Sequence, residues 1–150
     1  MTIDPQKFII CPNLIIEKDK KFLLLRRADW APLFPGHWHC VTGKIERGEC
    51  PRKAIIREAY EEVGLKIEPQ LKSVIHVTGV DFINPDLIWE DLSFFFHVYA
   101  QDEPINKEPR LHDAMEWFDG DNLPHPMIPV VKYGIHCYQM GYNYSEFRHI

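Results

Sequence analysis

Residues 43–65 read "GKIERGECPRKAIIREAYEEVGL", and three of their carboxylates, Glu58, Glu61 and Glu62, fall within five consecutive positions. The spacing predicts a helix from Pro51 to Val63, because Pro is pre-set for a first helical turn and Gly64 can adopt the left-handed conformation that ends one. Glu49 sits where the positive end of the helix dipole favours an anion. At 100° per residue Ile56, Ala59, Tyr60 and Val63 gather on an apolar face, with the three glutamates almost opposite at i, i+3 and i+4. Like charges at i and i+4 cost an isolated helix about 0.2–0.5 kcal/mol per pair. Solvent can absorb that penalty, so the spacing alone fits a solvated acidic face and a cation site alike.

The preceding loop points toward the cation. Gly43, Gly48 and Glu49 lead into the acidic face, and Arg57 stands one turn before Glu61. Mg²⁺ takes oxygen ligands octahedrally, keeps several waters and is usually held by a few carboxylates together with substrate phosphates. The stretch resembles the Nudix box, Gly-x5-Glu-x7-Arg-Glu-U-x-Glu-Glu-x-Gly-U with U apolar. Each fixed position is filled, by Gly43, Glu49, Arg57, Glu58, Ala59, Glu61, Glu62, Gly64 and Leu65. The flanks "FLLLRRAD", "GHWHCVTG", "KEPRLHDAMEWF" and "LPHPMIPVV" are similar to neighbouring segments of that family. The resemblance implies an α/β/α sandwich, with a mixed β-sheet between helices, that hydrolyses nucleoside diphosphates linked to another group.

Composition agrees with one such domain over residues 1–150. A chain of 150 residues with 45% hydrophobic content is long enough to bury about 70% of its unfolded surface around one core. Cys11, Cys40, Cys50 and Cys137 show no C-x-x-C spacing, so reduced thiols and a cytoplasmic location are expected. The runs "FII" and "LII" are too short for a signal-peptide core or a membrane span. A net charge of −5 argues against long nucleic acid as a partner. A small anionic, nucleotide-like substrate is compatible with that charge when a metal supplies the positive one; a monomer and a homodimer both remain open.

The expected elements are strands in "KFIICPNLIIEK" and "KKFLLLRR" with a turn near Asp19, and one short strand in "HWHCVTG". The box helix follows, then strands in "LKSVIHVTGVDF" and "DLSFFFHVYAQD" across the turn-rich "INPDLIWE". A last strand and loop occupy "AMEWFDGDNLP", and "MIPVVKYGIHCYQMGYNY" is mostly helical, with Pro129 in its first turn.

Cleaving a phosphoanhydride requires neutralised phosphate oxygens and a hydroxide-like water placed in line with the leaving group. Bound Mg²⁺, for which Mn²⁺ can substitute, supplies all three. By resemblance Glu61 and Glu62 are direct ligands, Glu58 is a ligand or the general base, and the Thr42 carbonyl is a further ligand. Arg57 would orient carboxylates through charge-assisted bonds. Glu108 resembles a loop glutamate that several members use as an extra ligand or base, although a plain loop residue would look the same. Arg27 and Lys44 resemble phosphate contacts, and solvated charges would also fit. Phe82, Trp89, Trp117 and Met127 could stack on a base, a role to be weighed against the core positions such side chains more often fill.

Met127 falls where a member that cleans oxidised guanine nucleotides has an asparagine, which speaks against that specificity. "VTG" at Val41 to Gly43 resembles the branch acting on dihydroneopterin triphosphate and some deoxynucleoside triphosphates. A nucleoside triphosphate-like substrate leads, with dihydroneopterin triphosphate, another nucleoside diphosphate derivative or a catalytically silent nucleotide-binding module as alternatives.

Overall fold

In a computed structural model, which describes residues 5–80, 86 and 88–149, the first two apolar runs form a hairpin. Strands β1 (Ile9–Lys18) and β2 (Lys21–Arg27) are antiparallel. Asp19 and Lys20, at φ 51° and 64°, make the two-residue turn between them, whose left-handed residues match the twist of the flanking strands. The strands pair only beside the turn, at Glu17 with Phe22 and Lys18 with Lys21. Beyond it they diverge, and the chain of "HWHCVTG" crosses from one to the other. Instead of one strand it forms two, β3 (Trp38–His39) on β2 and β4 (Val41–Thr42) on β1, with Cys40 buried at the crossing.

Helix α1 (Pro51–Val63) is followed by β5 (Gln70–Val80), β6 (Ile88–Tyr99), β7 (His112–Asp119), α2 (Pro129–Met140) and β8 (Tyr144–His149). The sheet runs β3-β2-β1-β6-β5-β8, with β4 also on β1 and β7 on β2. It is mixed: β1 with β6 and β5 with β8 are parallel, and the other pairs are antiparallel. Alternate residues face opposite layers. Leu14, Ile16, Leu23, Leu25 and Phe96 pack with Ile55, Ala59 and Val63 of α1. Ile15, Phe22, Leu24, Ile75 and Phe95 pack with Val131, Ile135 and Cys137 of α2. The arrangement is the expected α/β/α sandwich. Strand β8 was not expected, because its mostly exposed, polar-rich sequence along the sheet edge has no apolar run to announce it.

Both helices begin at a proline and end at a glycine with left-handed φ, Gly64 and Gly141. The faces of α1 differ from the sequence expectation. Ala54, Ile55, Ala59, Glu62 and Val63 are its buried residues, whereas Tyr60 is exposed. The helix is therefore rotated so that Glu62 lies on the packed side, Glu58 at its margin and Glu61 in solvent. Cys50, the residue after Glu49, holds the N-cap position without a side-chain bond. Among the described residues no helix is long and apolar enough to cross a membrane.

Two predictions test this packing. A Cβ on Gly134 of α2 would lie 2.2 Å from the Phe95 ring, so Gly134→Ala should lower stability by about 1–3 kcal/mol through overpacking, read as a reduced urea midpoint. His39 is buried, its two ring nitrogens have no hydrogen-bond partner among the described residues, and its ring centroid stands 5.1 Å from that of His112. Burial, with the nearby His112 and Arg27, lowers its pKa from 6.5 to about 3. With the folded value below the unfolded one, the unfolded chain takes up the proton first as pH falls. Stability is then lost from about pH 6.5 downward until about pH 3. His39→Leu should shrink the difference in unfolding free energy between pH 7 and pH 5; an unchanged difference would remove His39 from the acid response.

Candidate functional site

Arg57 organises the loop and helix that carry the carboxylates. Its Nε and Nη2 donate to the two Glu49 oxygens at 3.0 Å each, and Nη2 also donates to the Lys44 carbonyl at 2.9 Å. Its Nη1 donates to Glu58 Oε1 at 2.8 Å and to Glu61 Oε2 at 3.2 Å. Glu49 is fixed from its other side by the Glu46 amide at 3.0 Å, and Arg57 holds its carboxyl below the usual range. The loop from Lys44 to Glu49 is thereby tied to the acidic side of α1. At the loop's start Gly43 lies so close to Glu58 that a Cβ there would stand 2.2 Å from the carboxyl carbon. Any side chain at position 43 would displace Glu58.

Glu62 is the unusual member. It is 7% exposed, and its Oε2 has no hydrogen-bond partner among the described residues. Burial, reinforced by Glu58 and Glu108, raises its pKa from 4.5 to about 9, against a smaller opposing effect of the Thr42 backbone. Burial likewise raises Glu58, more than Arg57 lowers it. Glu108 reaches this group because its loop is laced to α1: the Ile105 amide donates to Val63 O at 2.9 Å and the Lys107 amide to Glu62 O at 3.0 Å. The structure therefore brings Thr42, Glu58, Glu62 and Glu108 together, with Glu61 linked through Arg57. Among the described residues no group of three or more His, Cys, Asp or Glu side chains is placed so that it could hold a metal ion by itself. The donors are nonetheless all oxygens, and an unpartnered buried carboxylate oxygen is what a hard cation with retained waters would satisfy.

A largely apolar cavity of about 450 Å³ lies on the α2 side of the sheet, where Val77, Trp89, Ile128 and Val130 line it. Its wall includes Cys11 of β1, and the carbonyl of the next residue, Pro12, accepts from Thr42 Oγ1 at 2.9 Å and from the Gly43 amide. A short path thus joins cavity and carboxylates: Cys11, Pro12, Gly43, Glu58. Trp89 lines the cavity, as do Ile128 to Val130, which are positioned through hydrogen bonds of Trp38 with Pro126 and Ile128. Another cavity, of about 410 Å³, opens near the far end of β6. Its polar floor is self-contained: Tyr138 donates to Glu17 at 2.7 Å, and His97 contacts both.

The remaining expected contacts are dispersed. Arg27 donates from Nε to the Leu33 carbonyl at 2.7 Å, beside His39 and His112. Lys44 is exposed and contributes its carbonyl to Arg57. Met127 is buried in the α2-side core, and Trp117 packs against the α1-side core. Phe82 lies outside the described residues. Asp91, Leu33 and Phe34 line the cavity but were not singled out from the sequence. Only the position of Asp91 ahead of the apolar "LSFFF" could have marked it.

Comparison with known proteins identifies the family. Over 104 residues, 67% of the chain, it is 34% identical to an octanoyltransferase of Myxococcus xanthus, spanning 27% of that protein. Over 59 residues, 39% of the chain, it is 41% identical to the nucleoside triphosphatase NudI of an Escherichia coli strain, spanning 40% of it. The chain thus matches well under half the length of these relatives. A MutT NUDIX hydrolase from Burkholderia pseudomallei superposes with a TM-score of 0.73 at 28% identity, over 87% of this chain and 98% of that one. A MutT protein from Bacillus halodurans, at 24% identity and a TM-score of 0.74, shares the fold over 95% of this chain and 90% of its own. The NUDIX domain model matches residues 10–136, from within β1 through most of α2, and with the complete carboxylate motif inside that span the chain belongs to the NUDIX family.

Proposed function

We propose that the chain catalyses Mg²⁺-dependent hydrolysis of a phosphoanhydride bond in a nucleoside triphosphate-like substrate, giving a monophosphate and pyrophosphate. The observation that carries this reading is the buried Glu62 carboxyl, with its unpartnered Oε2, grouped with Glu58 and Glu108 and connected through Gly43 and Pro12 to a cavity large enough for a base. The similarity to a MutT hydrolase and to a nucleoside triphosphatase supports the substrate class.

Glu61 and Glu62, with the Thr42 carbonyl, would hold the ion, and Glu58 and Glu108 complete the oxygen set. When bound, Mg²⁺ neutralises phosphate oxygens and makes a bound water more acidic. The chain's own residues position the reactants. Arg57 keeps Glu58 and Glu61 in register through Nη1. Gly43 leaves the space in which the Glu58 carboxyl sits. Glu58, whose raised pKa makes it the better proton acceptor, takes the proton of the attacking water, with Glu108 close enough to share that role. Arg27, at the end of β2, and Lys44, in the loop between β4 and α1, neutralise the outer phosphates. The apolar cavity takes the base and excludes water from its face.

Glu61→Gln and Glu62→Gln should each lower turnover by at least about 100-fold, because a neutral amide is a poor ligand for a hard cation. Circular dichroism should be unchanged, and metal-free Glu62→Gln should melt no lower than wild type, since it removes a buried carboxylate. Near-wild-type rates at limiting Mg²⁺ would refute the ligand assignment, and a folded protein that binds nucleotides without turnover would instead be a binding module.

Hydrolysis in ¹⁸O-labelled water locates the attack. Substitution at the β phosphorus, the position favoured here, puts label in pyrophosphate, and substitution at the α phosphorus puts it in the monophosphate. Orthophosphate and a nucleoside diphosphate as first products would refute an internal attack.

A further inference from the structure

Among the described residues that line the α2-side cavity, one carries a charge, Asp91. Asp91 of β6 pairs in register with Ile9 of β1 and with Val77 of β5, and all three line the cavity together with Cys11. The Asp91 residue is only 7% exposed. Its Oδ1 accepts from Ser93 Oγ at 2.8 Å, and no Lys or Arg pairs with it among the described residues. A carboxylate offers about four lone-pair positions, and one hydroxyl covers one of them. Taking such a group out of water without further donors is costly, so its retention in an apolar wall calls for a partner that arrives from the cavity.

The shape of the cavity says what kind of partner. Trp89, two residues before Asp91 and therefore on the same face of β6, lies across Gly79 of β5, where a Cβ would stand 2.2 Å from the indole ring. The absent side chain lets the indole lie down on the sheet and form a wall of the cavity beside the carboxylate. A flat aromatic wall with an acceptor pair at its edge fits a planar ring that carries N–H donors along one side.

We infer that Asp91 selects the base: its carboxylate accepts the paired N1–H and 2-amino donors of a guanine-type ring held in this cavity. This deepens the reading above, since it rests on a nucleotide entering there. An ionised carboxylate has two acceptors and no donor, and parallel N–H pairs satisfy both oxygens side by side. Adenine and cytosine present a donor next to an acceptor, and uracil and thymine flank one donor with two acceptors. In each case a lone pair of the base would face a carboxylate oxygen. Ser93 holds the carboxylate rotamer and favours its ionised form. Burial raises the Asp91 pKa to about 6, which leaves it charged at neutral pH.

The test separates base selection from hydrolysis. Binding of GMP, IMP and AMP to the metal-free protein is followed by tryptophan fluorescence and calorimetry, and kcat/KM is measured for GTP and ITP with Mg²⁺. Wild type should favour GMP over IMP, which lacks only the 2-amino group, by about 10-fold or more, the size expected when a buried polar group is left unpaired. The near-isosteric Asp91→Asn should cut that ratio to within about twofold, and Asp91→Leu should do the same where it folds. A guanine preference that survives in Asp91→Asn, or a wild type that does not distinguish GMP from IMP, overturns the assignment. An Asp91-dependent GMP preference without turnover of any nucleotide would leave it standing and refute the hydrolase instead.

Discussion

The forked guanidinium of Arg57 is the contact on which the acidic site depends. One planar group with five donors spans four acceptors that belong to three parts of the chain: the Lys44 carbonyl, the Glu49 carboxylate, and Glu58 and Glu61 on α1. A lysine could not do this, because its point charge has no fixed fork to set two carboxylates at once. Without the bridge the loop between β4 and α1 would be joined to the helix mainly through the chain itself. The opposing charges of Glu49, Glu58 and Glu61 would then push it outward.

Where that loop starts is decided by the sheet. Because β1 and β2 pair for only two residues before diverging, the chain that fills the gap must change partners, and it does so at Cys40 between β3 and β4. The change delivers Thr42 and Gly43 onto the Pro12 carbonyl. That contact sets Gly43 against Glu58 on one side and leaves Cys11 in the cavity wall on the other. Sheet divergence, more than any single side chain, connects the carboxylates to the cavity wall through Gly43 and Pro12.

Much of this was legible in the sequence and some was not, for identifiable reasons. Proline and glycine marked both ends of α1, and proline the start of α2, because their backbone limits act locally; the stop of α2 at Gly141 was not read. The motif gave the membership of the acidic group, because its residues interact within one loop and one helix. The rotation of α1 was misread: helical periodicity placed Glu62 with the solvated glutamates, while packing against β1, β4 and β6 turned it inward and left Tyr60 outside. Apolarity is an unreliable guide to the buried face when a carboxylate must also be buried there. Asp91 was missed for a related reason. Its significance depends on cross-strand neighbours, Ile9 and Val77, that lie 82 and 14 positions away in the chain.

The inward turn of Glu62 also explains why so charged a helix packs at all. Glu61, in solvent, is screened and shares Arg57, so its charge is cheap to keep. Glu62 has neither screening nor a guanidinium, and burial together with Glu58 and Glu108 works against its ionisation. A fold selected for stability alone would place an apolar residue between Ala59 and Val63. Local stability is given up where sequence rules fail at a working site, and a buried carboxyl opposed by two like charges gains most from a cation. In the proposed enzyme the cation would therefore stabilise the carboxylate cluster and provide the chemistry through the same oxygens. Metal affinity and folding would then be thermodynamically linked, since an ion that binds the folded site and not the unfolded chain raises stability by mass action.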